Sequence, residues 1–83
     1  MTTAVPVADK TVDLSSLRCP NLVIGIIQAL RTVPPGRVLR IIATDLSAPS
    51  NVTAWSRQSR NDLIEMYEEN GRFIFYLRRD SAA

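Results

Sequence analysis

The sequence contains no histidine, a single cysteine (Cys19), a single lysine (Lys10), few aromatics and three glycines among 83 residues. Each shortage removes a class of chemistry. Without histidine there is no Cys/His zinc site of the usual kind, and no imidazole base to pair with a serine or cysteine nucleophile. One cysteine cannot form an internal disulfide, which favours a reduced, cytoplasmic setting. The glycines do not gather into a phosphate-cradling loop, and no two carboxylates stand in a recognisable acid/base pattern. No apolar run approaches the ~20 residues needed to span a bilayer, and residues 1–9 lack the basic start and apolar core of a secretory signal.

What remains is a composition that is 46% hydrophobic with a net charge of +2, the profile of an ordinary globular domain with a mildly basic surface. All basic residues but Lys10 are arginines, which suit carboxylate or phosphate partners. The length allows one domain with one core.

Residues 1–9 show no sustained period and read as a flexible lead-in, with the domain over 10–79 and a flexible tail over 80–83. Polar and apolar residues alternate over Lys10–Leu14, predicting a short strand, and Ser15–Arg18 a loop. From Pro20 to Thr32 the positions Leu22, Val23, Ile26, Ile27, Ala29 and Leu30 follow a helical period, leaving Asn21, Gly25, Gln28 and Thr32 as a narrow polar stripe. Gly25 weakens that helix and marks a close neighbour. Val33-Pro34-Pro35-Gly36 stops it. Val38–Thr44 is a central strand. Ser47 caps a second helix over 50–58, with Ala48, Val52 and Trp55 on one face and Trp55 anchored in the core. Asp62–Glu68 is a strand with Ile64 and Met66 on one side and Leu63, Glu65 and Tyr67 on the other. Asn70-Gly71 forms a tight hairpin turn, and Phe73–Leu77 is the last strand, apolar on both faces. The order β-α-β-α-β-β, with right-handed crossovers, places both helices on one side of the sheet in a two-layer α/β (α+β) sandwich. One face of the last strand, either Phe73, Phe75 and Leu77 or Ile74 and Tyr76, then needs a cover or remains a contact patch.

The chemistry concentrates at Leu17-Arg18-Cys19-Pro20-Asn21-Leu22. Pro20 suits the first helical position and puts Cys19 at the cap, where the amides of Asn21, Leu22 and Val23 converge and the helix dipole favours an anion. Such a helix end is worth up to about 2 kcal/mol and lowers a thiol's pKa; the guanidinium of Arg18 leaning over the sulfur acts in the same direction. The thiolate is the nucleophilic form. A persulfide on Cys19, being an anion, gains from the same amides. The competing reading of a lone cysteine is a small buried hydrophobe. Two further alternatives remain: a non-catalytic regulatory or interaction module that uses the last strand's outer face, and an RNA-binding domain, against which stand the small charge excess and the lack of a basic stripe with interleaved aromatics.

Asp13-Leu14-Ser15-Ser16-Leu17-Arg18-Cys19-Pro20 resembles the opening strand and Leu-Arg-Cys-Pro box of the TusA/SirA-like sulfur-carrier family. Pro35-Gly36 before a strand ending in Ala43-Thr44-Asp45, the short helix with Trp55 and the closing hairpin also match in order and spacing. The resemblance implies a mixed four-stranded sheet with two helices on one face. It implies that Cys19 accepts sulfane sulfur from a cysteine desulfurase or rhodanese and relays it to an acceptor, such as a DsrE-like protein, in tRNA thiolation, sulfur oxidation or molybdenum-cofactor metabolism. No resident cofactor is implied beyond the transient persulfide, and neither a membrane nor direct nucleic-acid contact. Two positions depart from the family pattern. Leu22 stands where the box Cys-Pro-x-Pro has its second proline, and is expected to restore an amide donor near the sulfur; Asn51 stands where relatives often carry Asp.

Overall fold

A computed structural model describes residues 8–18 and 21–80. Its elements are β1 (Lys10–Asp13), α1 (Asn21–Leu30), β2 (Val38–Ala43), α2 (Ala48–Ser59), β3 (Asp62–Glu69) and β4 (Arg72–Arg78). The four strands form one sheet in the order β1-β2-β4-β3. β1 and β2 run parallel, while β4 is antiparallel to both β2 and β3, so the sheet is mixed.

Strand alternation divides the apolar residues between two faces. Leu39, Ile41 and Ala43 of β2 stand opposite Leu77, Phe75 and Phe73 of β4. They share one core with Leu22, Ile26, Ala29 and Leu30 of α1 and Ala48 and Val52 of α2. Both helices therefore cover the same face, as the expected two-layer sandwich requires. Trp55 is half-buried and packs against this core. The remaining side chains of the last strand, Ile74 and Tyr76, point to the other face. There they cluster with Ile42, and Ala8, Val38, Ile64 and Tyr67 pack against them. The Arg40 guanidinium lies beside the hydroxyls of Tyr67 and Tyr76 on this face, and the two tyrosine rings stack at 6.4 Å. The Tyr67 hydroxyl is pushed above its ordinary pKa, first by its hydrogen bond with Tyr76 and then by burial. Glu65 lies opposite Tyr76 and Glu69 opposite Arg72, so charges of both signs interleave here. This is not the basic stripe an RNA-binding sheet presents.

Several expectations are corrected. β3 does not alternate evenly: the register shifts between Leu63 and Glu65. The extra residue at this bulge resets the pleat, so Leu63 joins the helix-side core while Ile64 packs on the outer cluster, and Met66, opposite Phe75, lies on the side away from Tyr67. The outward stripe of α1 is Asn21, Ile24 and Gln28, with Ile24 49% exposed; Gly25 is only half exposed. α2 begins at Ala48, earlier than 50, with proline tolerated in its first turn. Of the segments expected as a flexible lead-in and tail, residues 1–7 and 81–83 lie outside the described residues, and the inner ends of both are hydrogen-bonded. Asp9 donates its amide to the Val38 carbonyl and accepts from the Val38 amide, and the Asp80 amide donates to Asn61 Oδ1 over 2.7 Å.

The hairpin follows its turn chemistry, with Asn70 at φ 53° and Gly71 at φ 80°. Because Ala43 pairs with Phe73, this turn lies at the same end of the sheet as the carboxyl ends of β1 and β2. Both helices start from that end.

Candidate functional site at the shared start of the two helices

The loop leaving β1 is shaped by Asp13, whose carboxylate accepts the Ser15 amide over 2.9 Å. Hydrogen bonds from the Ser15 hydroxyl and then its amide hold the Asp13 carboxyl below its ordinary pKa. The Leu17 amide closes back onto the Leu14 carbonyl at 3.0 Å. Leu14 and Leu17 then lie against Gly25: a Cβ there would stand 3.0 Å from Leu17 Cδ1 and 3.4 Å from Leu14 Cδ1. The close neighbour expected at Gly25 is thus the loop that carries Arg18.

Across from it, the loop leaving β2 is built on Asp45, which is only 8% exposed. Its carboxylate accepts from the Ser47 amide at 3.1 Å and the Ser47 hydroxyl at 3.0 Å, and its carbonyl accepts the Ala48 amide. Ser47 occupies the cap position of α2 as expected, but its side chain makes no capping bond to the helix. The aspartate organises the turn instead, a pattern readable in Asp45-x-Ser47 as a side-chain-closed turn. The Thr44 hydroxyl donates to the Ser15 carbonyl over 2.7 Å and latches the two loops together. Sequence reasoning missed this latch, because a hydroxyl at a strand end does not name its partner 29 residues away.

Of the residues assigned to the site, Cys19 and Pro20 lie outside the described residues. Arg18 is exposed immediately before them; Asn21 is exposed and Val23 half-buried immediately after. Leu22 overturns its expected role as a free donor. Its amide donates to the Arg18 carbonyl at 2.8 Å, an i to i−4 helical bond, and its side chain is fully buried in the core. An amide committed inside the helix ladder is no longer an orphan pointing at an anion. Neither helix has an acidic residue in its first turn, so no carboxylate of the helices themselves offsets their positive ends. The structure thus brings Arg18, Asn21 and Val23 to an end where two helix dipoles converge.

At the opposite end of the helices a cavity of about 140 Å³ is lined by Ile27, Leu30, Arg31, Trp55, Ser59 and Asn61 together with Arg79 and Asp80. It is remote from the loops described above. Among the described residues no group of three or more His, Cys, Asp or Glu is placed to hold a metal ion, and no helix is long and apolar enough to cross a membrane.

The chain is 32% identical over 73 residues to the sulfur carrier protein TusA of Pseudomonas fluorescens, covering 88% of each chain. It is 34% identical over 71 residues to that of Allochromatium vinosum, covering 86% of this chain and 93% of the relative. A longer Aquifex aeolicus protein, whose name also contains the words "sulfur carrier protein", is 36% identical over 75 residues, and this chain spans 38% of its length. The sequence model of the family described as Sulfurtransferase TusA matches residues 10–79. The chain belongs to the TusA sulfurtransferase family.

Proposed function

We propose that this protein is a sulfur carrier that holds sulfane sulfur as a persulfide on Cys19. The family match over 10–79 carries this reading, since the chain's one cysteine falls inside the matched segment. The surroundings support it: Arg18 stands exposed beside the thiol in sequence, and the loop before it is fixed by the Asp13–Ser15 turn and the Thr44 latch.

In loading, the Cys19 thiolate attacks the outer sulfur of a donor persulfide, R–S–SH. A new S–S bond forms to Cys19 while the donor's S–S bond breaks, and the departing donor thiolate takes up the proton that Cys19 gave up. No net oxidation occurs, so the exchange needs no resident cofactor. The positive end of α1 favours both the thiolate and the resulting persulfide anion. The donor is a cysteine desulfurase or rhodanese and the acceptor a second protein, with tRNA thiolation, sulfur oxidation and molybdenum-cofactor supply as the pathways this carrier fits.

Mass spectrometry after incubation with a cysteine desulfurase, pyridoxal phosphate and cysteine tests the reading. A gain of one sulfur atom, lost in Cys19→Ser and removed by dithiothreitol, is the expected result. An unmodified wild-type protein under conditions that load a known carrier refutes it.

A further inference from the structure

Leucine is normally an interior residue, yet Leu46 is 86% exposed, far more than any other large hydrophobic side chain among the described residues. It is not on a loose loop. The Asp45 carboxylate holds the Ser47 amide and hydroxyl, and the Asp45 carbonyl holds the Ala48 amide, so Leu46 is clamped between two fixed neighbours. Thr44, two residues before Leu46, is bonded to Ser15 on the loop that leads to Arg18 and Cys19. An apolar side chain carried on a fixed backbone leaves only its own rotamers to be ordered when a partner buries it, which suits an interface anchor. Arg18 is the exposed charge within these two loops; of the acids at their roots, Asp45 is buried, and Asp13, exposed at the end of β1, has its carboxylate bonded to Ser15. A partner matching this surface offers an apolar pocket with a carboxylate at its rim.

We propose that Leu46 is the docking anchor for the protein that delivers sulfur to Cys19, inserting into an apolar pocket whose acidic rim faces Arg18. The proposal rests on the sulfur-carrier reading and adds the residue that selects the partner.

The test compares two loading routes on the full chain. Wild type, Leu46→Ser and Leu46→Met are loaded either by the cysteine desulfurase or rhodanese of the same organism, whichever modifies the wild type, or by inorganic polysulfide, which needs no docking. Expected is a rise of about tenfold or more in the KM for protein-delivered sulfur in Leu46→Ser, recovery in Leu46→Met, and equal polysulfide loading in all three. The wild-type KM is also expected to rise with added salt. Equal KM values in wild type and Leu46→Ser overturn the anchor, as does loading of wild type by polysulfide alone. A wild-type dimer that Leu46→Ser converts to monomer assigns the surface to a second copy of the chain and also overturns it. Wild type that no donor loads, polysulfide included, refutes the carrier reading itself.

Discussion

The Thr44 hydroxyl reaches the Ser15 carbonyl over 2.7 Å, joining the end of β2 to the loop that follows β1. This bond couples two loops that both open onto helix starts, so its loss should be felt at Cys19 as well as in global stability. Thr44→Val keeps the shape and removes the donor. It is expected to lower stability by about 1 kcal/mol, the usual net worth of such a bond, and to broaden the pH dependence of iodoacetamide alkylation of Cys19. Urea denaturation and alkylation rates measure the two effects. Unchanged values in both show that the latch is dispensable.

Gly25 tests the packing beneath the same loop. A methyl group added at Gly25 would stand 3.0 Å from Leu17 Cδ1, so the Leu17 side chain must give way before a branched side chain fits. Gly25→Val should cost about 1–3 kcal/mol by overpacking, despite the gain in helix propensity. Leu17→Ala should recover part of that loss, giving a favourable coupling in a double-mutant cycle. Additive effects in denaturant melts indicate that Leu17 is not what the new side chain meets.

The layering, element order and hairpin were legible in the sequence because each rests on local pattern: the helical period of α1, the β-branched run of β2 and Asn70-Gly71. The side assignment in β3 was not legible. A bulge between Leu63 and Glu65 leaves no compositional mark, and one inserted residue exchanges the faces of those that follow. The direction of Gly25 was also hidden, since a glycine among apolar residues reads as polar until the loop that packs on it is known. At the site, the sequence located the cysteine box through Pro20 and the neighbouring Arg18. It did not locate Thr44, whose bond to Ser15 depends on the parallel pairing of β1 with β2, whereas the turn at Asp45 is local and could be read from Asp45-x-Ser47.

Asp13 makes the entry to the site sensitive to acid. Its carboxyl pKa is held below the ordinary 3.8 by the Ser15 hydroxyl and amide. A carboxylate with a lowered folded value contributes stability that is present above its unfolded pKa and is lost as pH falls through the folded one. The loss therefore begins near pH 4 and continues below it. Asp13→Asn keeps an acceptor for the Ser15 amide but removes the titration. Between pH 5 and pH 2 its stability should fall less than that of wild type in parallel urea melts. Parallel curves assign the acid sensitivity to other carboxylates.

Leu22→Pro restores the second proline of the Cys-Pro-x-Pro pattern and separates two readings of that position. If the Leu22 amide were a free donor beside the sulfur, removing it would raise the thiol pKa. The amide instead donates to the Arg18 carbonyl, so its removal takes nothing directly from the thiolate. What is lost is a helical hydrogen bond and a fully buried leucine side chain. Proline removes that bond and sets its ring against the Arg18 carbonyl, and the vacated core volume adds about 2–5 kcal/mol by analogy with other large-to-small core changes. The expected outcome is a clear drop in thermal midpoint with the pH midpoint of Cys19 alkylation unmoved. A raised thiol pKa with little loss of stability would instead return Leu22 to the role of anion donor and assign its side chain no weight in the core.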